Sequence, residues 1–168
     1  MRYTKHQLGV GLMEILVALL ILALGVLGFI ALQYRAVEAT SEGSYRVQAI
    51  NLSRDFAERI RVNRGALDDY VDEIADADAQ AEYSKNCSAE ECSIGEMADY
   101  DVAQVVQRAN SVGMTVNLLD CQGNSDDRKC IYVAWGNTAA TDGQEDAGNC
   151  TTGTVYDPSS TCLIMEVY

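Results

Sequence analysis

The sequence predicts an α+β fold in which the outer half of one long N-terminal helix presents an apolar stripe to a small, disulfide-stapled domain that ends in an antiparallel sheet. Three observations carry this expectation. An apolar run from Ile15 to Leu32 continues without a proline into an amphipathic stretch. Segments rich in β-formers, separated by clusters of Gly, Asn, Asp, Ser and Thr, fill the last third of the chain. All six cysteines lie beyond Asn86, and an even count of this kind reads as a disulfide framework in an oxidising compartment.

The run from Ile15 to Leu32 has 18 residues without a charge. At ~1.5 Å per residue that crosses most of a bilayer core. Arg2, Lys5 and, when protonated, His6 make the preceding end positive, which holds that end in the cytoplasm and sends the rest of the chain outward. Glu14 interrupts the start of the apolar helix. A carboxylate there costs up to roughly 2.5–3.5 kcal/mol near a helix centre and less toward the interface, so it needs a partner or a purpose. An ordinary secretory signal is one reading, with Ala23, Gly25 and Gly28 as a poor cleavage site of small residues. That reading leaves Glu14 unexplained. The competing reading cuts on the near side of the apolar run, after Gly9, and keeps the helix.

The residues Gly9-Val10-Gly11-Leu12-Met13-Glu14-Ile15-Leu16-Val17-Ala18 resemble the type III signal sequence of type IV pilins and of type II secretion pseudopilins. The resemblance implies a prepilin peptidase that cuts between Gly9 and Val10 and methylates the new N-terminus at Val10. It also implies that Glu14 meets the N-terminal amine of its own or an adjoining subunit during assembly. Paired in this way, an ammonium and a carboxylate that are each costly in lipid offset one another. Val10 stands where the family usually has phenylalanine, and Gly11 where threonine is common. The only proline is Pro158, so the apolar helix lacks the proline many major pilins carry. Gly25 and Gly28 supply either local pliancy or close helix packing.

The organisation expected is a leader at 1–9, a transmembrane half-helix at 10–33 and an extracytoplasmic pilin-like domain at 34–168. Loss of Arg2 and Lys5 with the leader takes the formal charge from −13 to −15. Nucleic acid is excluded as a partner by the missing basic surface. Fifteen disulfide pairings are formally possible; the sequential set Cys87 with Cys92, Cys121 with Cys130 and Cys150 with Cys162 is favoured. Zinc is the alternative for clustered cysteines, but there is no C-x-x-C pair and the single histidine, His6, lies in the leader. No metal and no cofactor is expected.

Helical character continues from Tyr34 to about Asn63, with Tyr45, Ala49, Leu52, Phe56 and Ile60 forming one apolar stripe. Glu42 with Arg46 and Asp55 with Arg59 are i,i+4 pairs in the favourable order. Arg54, Arg59, Arg61 and Arg64 make the helix end basic before Gly65. They read as a solvated face or as a contact for an acidic neighbouring subunit. From Ala66 to Lys85 the chain is acidic and reads as a solvated helix or loop. Asp76-x-Asp78 begins like a calcium loop, yet the glycine and terminal glutamate such a loop requires are missing. Ser93-Ile94-Gly95-Glu96 has the spacing of a capping box, and Ala98, Val102, Val105, Ala109 and Val112 follow at helical spacing before Gly113. Strands are expected at Met114 to Asp120, Lys129 to Trp135 and Cys162 to Tyr168.

This element order resembles the pilin fold. Cys87-x4-Cys92, then Ala98-Asp99-Tyr100-Asp101, then Val133-Ala134-Trp135 resembles, more narrowly, the PilV group of minor pilins. The resemblance implies a minor pilin, not an enzyme, that takes part in type IV pilus assembly or priming and in twitching motility and adhesion. Its implied partners are the prepilin peptidase, other minor and major pilins and an inner-membrane assembly platform. Its implied location is the inner membrane with a periplasmic domain, and the extracellular pilus once assembled. On the residues alone, Trp135 reads as a core aromatic and Tyr100 and Asp101 as local packing or capping. The alternatives are a minor pseudopilin of type II secretion, an adhesin acting through the loops around Asp142 to Pro158, and an anchored extracytoplasmic enzyme. Such an enzyme would work without histidine or a free thiol, which removes Ser-His and Cys-His nucleophiles.

Overall fold

A computed structural model describes residues 11–76, 79–124, 126–143 and 148–167. The chain divides into two compact units, Met1–Gly43 and Ser44–Tyr168. Helix α1, Leu12–Val62, contributes to both.

In the first unit, α1 starts where the Gly11 carbonyl accepts hydrogen bonds from the amides of Glu14 (2.9 Å) and Ile15 (3.3 Å). Leucine, alanine and isoleucine dominate the turns that follow, and the three interior glycines, Gly25, Gly28 and Gly43, are too few to break them. Every residue from Gly11 to Ser41 is exposed. Arg35 and Glu38, one turn apart at 3.1 Å, form a surface pair in its polar part.

In the second unit, the remaining turns of α1 bury Ala49, Leu52, Ser53, Phe56, Ala57 and Ile60, alternating steps of three and one. The expected stripe is this face, with one adjustment. Tyr45 stays 37% exposed and lies stacked near Trp135, ring centroids 6.4 Å apart. A 3-10 turn, Arg64–Ala66, leads into α2, Leu67–Ala75. The acidic stretch is therefore helical at its start, and it is not wholly solvated. Asp68, Asp69 and Asp72 face water while Tyr70 and Ile74, one turn apart, are buried.

Helix α3, Ile94–Ser111, opens with the full capping box: the Ser93 hydroxyl accepts from the Glu96 amide (3.3 Å), and the Glu96 carboxylate accepts from the Ser93 amide (2.7 Å). It ends ahead of Gly113, whose φ of +72° suits glycine alone without strain. Strands β1, Met114–Asp120, and β2, Lys129–Trp135, form an antiparallel hairpin from Met114 opposite Trp135 to Asp120 opposite Lys129.

Among the described residues, the polar stretch after Trp135 contains three two-residue strands that the sequence pattern does not reveal: β3, Asp142–Gly143, β4, Thr151–Thr152, and β5, Val155–Tyr156. They form a small second sheet, β3 parallel to β4 and β4 antiparallel to β5. β6, Cys162–Glu166, then pairs antiparallel with β2, so the main sheet runs β1-β2-β6.

Alternation along β2 divides the interior. Ile131, Val133 and Trp135 join the helices in the main core, with Phe56, Ile60, Tyr70, Val102 and Val105. Tyr132 and Ala134 project to the other face, into a smaller cluster with Ala140 and four cysteines. The bridges join Cys87 to Cys92 in the loop before α3, Cys121 to Cys130 across the hairpin turn, and Cys150 to Cys162. The cysteine partners lie 5.6, 5.0 and 5.5 Å apart between Cα atoms. None of the six cysteines is free.

Candidate assembly surface

From Ile15 to Leu32 the chain carries thirteen Leu, Ile, Val or Phe side chains, and all are exposed. At about 1.5–3 kcal/mol for each such side chain fully buried, removing them from water is worth on the order of 20–40 kcal/mol. The cost of one carboxylate in lipid is roughly a tenth of that. Apolar burial therefore outweighs the cost of Glu14 in deciding where this segment goes. Helix α1 is long and apolar enough to cross a membrane. Within the chain, a side chain at Gly25 or Gly28 would meet no atom within 4 Å. Their small size thus answers to no packing need inside the molecule, although each glycine weakens a helix by about 0.5–1 kcal/mol relative to alanine.

The second unit holds its helices together through a buried charge. Asp101, 7% exposed, accepts from Arg59 Nη1 at 2.6 Å and from the Tyr70 hydroxyl at 2.7 Å. One carboxylate thereby ties α1, α2 and α3. Arg59 also donates from Nε to Asp55 at 3.3 Å. Burial works against the Arg59 charge, but Asp101 and Asp55 outweigh it and raise its pKa. Burial, followed by the hydrogen bond to Asp101, pushes the Tyr70 phenol well above its ordinary value.

Asp99 and Tyr100 act locally. Asp99 accepts from the Ser84 amide (2.8 Å) and hydroxyl (2.7 Å), and Tyr100 meets Tyr83 edge to face at 5.1 Å. The tetrapeptide Ala98-Asp99-Tyr100-Asp101 is thus a set of fasteners for the chain before α3. Tyr100 packs locally, as expected, whereas Asp101 reaches 31 and 42 residues back along the chain.

Two clefts, of 270 and 330 Å³, lie beside α1 and α3 and share Asp55; Arg108 and Val112 border one, Met97 and Val62 the other. Neither presents a nucleophile beside a base. Among the described residues no group of three or more His, Cys, Asp or Glu is placed to hold a metal ion. Asp76 accepts from the Ala79 amide at 3.3 Å, and Asp78 lies outside the described residues. Burial and the surrounding Asp99, Asp69, Asp76 and Asp72 raise the Glu73 pKa.

Of the residues the sequence singles out, Gly9 and Val10 lie outside the described ones. Glu14 sits in the first turn of α1. The cysteines form the three bridges above, well apart from the apolar segment in sequence. The Arg59–Asp101–Tyr70 set was not foreseen, because nothing in local spacing links residues so far apart in the chain.

Residues 31–103 match the family model Tt1218-like, described as type IV pilin Tt1218. The matched stretch contains the Arg59–Asp101–Tyr70 set and the Cys87–Cys92 bridge. No curated protein and no solved structure matches the chain. Through the polar part of α1, through α2 and into α3, the chain is similar to type IV pilins.

Proposed function

We propose that this chain is a minor pilin of the PilV group, cut between Gly9 and Val10 and methylated at Val10. It is held in the inner membrane by α1 with residues 34–168 in the periplasm, and then moves into a type IV pilus or its priming complex. The observation that carries this is the apolar stretch of α1 from Ile15 to Leu32, exposed along its whole length, with a carboxylate in the first turn of the helix. The match to a type IV pilin family over residues 31–103 supports it from an independent part of the chain. The apolar segment first spends its hydrophobicity on lipid, and later on neighbouring helices as the filament grows. Glu14 would be poorly placed in lipid and well placed beside the amine of an adjoining subunit. Gly25 and Gly28, with open space around them in the chain, allow such neighbours to come close. The role is structural and not catalytic, with the peptidase, other pilins and the membrane platform as partners.

Intact-mass and N-terminal peptide analysis of the membrane form, with and without the prepilin peptidase, tests the reading. A peptidase-dependent chain that begins at methylated Val10 and retains the apolar helix is expected. A chain that begins beyond residue 23, or one that keeps Met1 whatever the peptidase, overturns it. Loss of twitching motility in a deletion strain, with protein export intact, separates the pilus from a type II secretion machine.

A further inference from the structure

Among the described residues, the main sheet ends at β6, which has a strand neighbour on one side only. The Val167 amide donates to the Lys129 carbonyl (2.9 Å), and the Trp135 amide donates to the Thr161 carbonyl (3.0 Å). Residues 161 and 167 therefore turn their backbone toward β2. Antiparallel alternation then turns the amides and carbonyls of Cys162, Ile164 and Glu166 outward. A row of this kind is a template for another strand, and proteins usually blunt it with proline, lysine, a bulge or a cover. Cys162–Glu166 contains neither proline nor lysine, and its pairing with β2 runs without a bulge.

One side chain stands in for the missing strand. The Ile164 amide donates to the Tyr156 hydroxyl at 2.6 Å. Tyr156 is 47% exposed and lies on β5, whose whole ladder is two residues long. The segment that carries it is fixed elsewhere: the Asp157 amide donates to the Cys150 carbonyl (3.1 Å), and Cys150 is bonded to Cys162. The tyrosine is thus held close to the edge by a covalent tether, while its own contact with the edge is a single hydrogen bond.

We propose that the outer edge of β6 is a strand-pairing surface for a second copy of this chain, kept closed by Tyr156. The outward set is symmetric about Ile164. With two β6 strands antiparallel across a twofold axis at that residue, each Ile164 amide meets the other Ile164 carbonyl, and each Cys162 faces Glu166 of the second copy. No like charges fall opposite one another, and Arg128 Nη1 already holds Glu166 at 2.7 Å. The flanks of the half-buried Leu163, Ile164 and Met165 would be covered in the pair.

The test uses the full chain in excess detergent, wild type against Tyr156→Phe, a change that keeps the ring and removes the hydroxyl. Amide exchange at Ile164, followed at low protein concentration, should speed up about tenfold in the variant, with the amides of Val133 and Val167 unchanged. On concentrating, the variant should form a dimer by native mass measurement, and Ile164 exchange should slow again. Unchanged Ile164 exchange in the dilute variant overturns the guard. Faster exchange in a chain that never dimerises, or a dimer in which Ile164 stays unprotected, overturns the second copy as the occupant. Slowing that needs an added extended peptide, and not more of the chain itself, does the same.

Discussion

Removing the Asp101 carboxylate should be the most damaging single polar change in the second unit. In Asp101→Ala, Arg59 loses its 2.6 Å partner and the Tyr70 hydroxyl its 2.7 Å partner. Breaking a fully buried pair costs about 3–5 kcal/mol. Two features here pull toward the lower end: Arg59 keeps Asp55 at 3.3 Å, and its side chain is 31% exposed. Tyr70 keeps only long contacts, to Asn63 and to the Arg59 carbonyl, each at 3.5 Å. A loss of about 3 kcal/mol follows, or a fall in melting temperature on the order of 10 °C. Asp101→Asn retains an acceptor for one of the two donors and should lose about half as much. Trp135, the single tryptophan and 4% exposed, reports unfolding of this unit by fluorescence in urea. The control is Glu58→Ala, which breaks a surface pair with Arg61 whose side chains are 66% and 56% exposed and should cost under about 0.5 kcal/mol. If Asp101→Ala and Glu58→Ala unfold at the same denaturant concentration, the network does not hold the helices and the reasoning is wrong.

Three other outcomes follow from the same structure. Ser93→Ala removes the hydroxyl that accepts from the Glu96 amide and should destabilise the unit by about 1 kcal/mol, measured in the same urea titration; an unchanged midpoint would count against the capping box. Burial raises the phenol pKa of Tyr70, Tyr132 and Tyr156 in the folded chain. The unfolded chain therefore ionises first, near pH 10, and stability should fall as pH rises above that value; absorbance at 295 nm should show these three tyrosines titrating late, and two in Tyr70→Phe. Because burial and its acidic neighbours raise the Glu73 pKa, the charged form opposes folding at neutral pH. Glu73→Gln should then stabilise the chain by roughly 0.5 kcal/mol or less at pH 7, with the gain disappearing as the pH falls below about 4.

What the sequence made legible was local or periodic. Ala49, Leu52, Phe56 and Ile60 could be read because a helix repeats its face every three or four residues. The capping box at Ser93 and Glu96 is complete within four residues, and the β1–β2 hairpin announces itself through two runs rich in β-formers and through Cys121 and Cys130 beside its turn. The hidden features depend on partners distant in the chain. Strands β3, β4 and β5 are two residues each, too short for any alternation to show, and β4 is anchored next to Cys150 rather than by pattern. Tyr70 and Ile74 sit among acidic residues whose charges dominate the composition of α2, and only the helix geometry separates its wet face from its dry one. Asp101 is likewise an ordinary helix residue until folding brings Arg59 and Tyr70 to it.

The two units solve the same physical problem in different ways, and the difference bears on why α1 is built as it is. The main core begins at Ala49 and closes on itself, and the buried carboxylate of Asp101 finds its cation and its hydroxyl within the chain. Between Gly11 and Ser41 nothing is buried, so this part of α1 acquires its stability from whatever surrounds it. Lipid alone satisfies the thirteen large apolar side chains between Ile15 and Leu32 but offers Glu14 no charge partner, whereas a bundle of like helices satisfies both if an amine lies alongside. On the proposed pilin reading, the carboxylate that makes α1 a slightly worse anchor would make it a better assembly element. On that reading, the cost it imposes on the isolated subunit would be returned on association, which would favour leaving the bilayer for a filament.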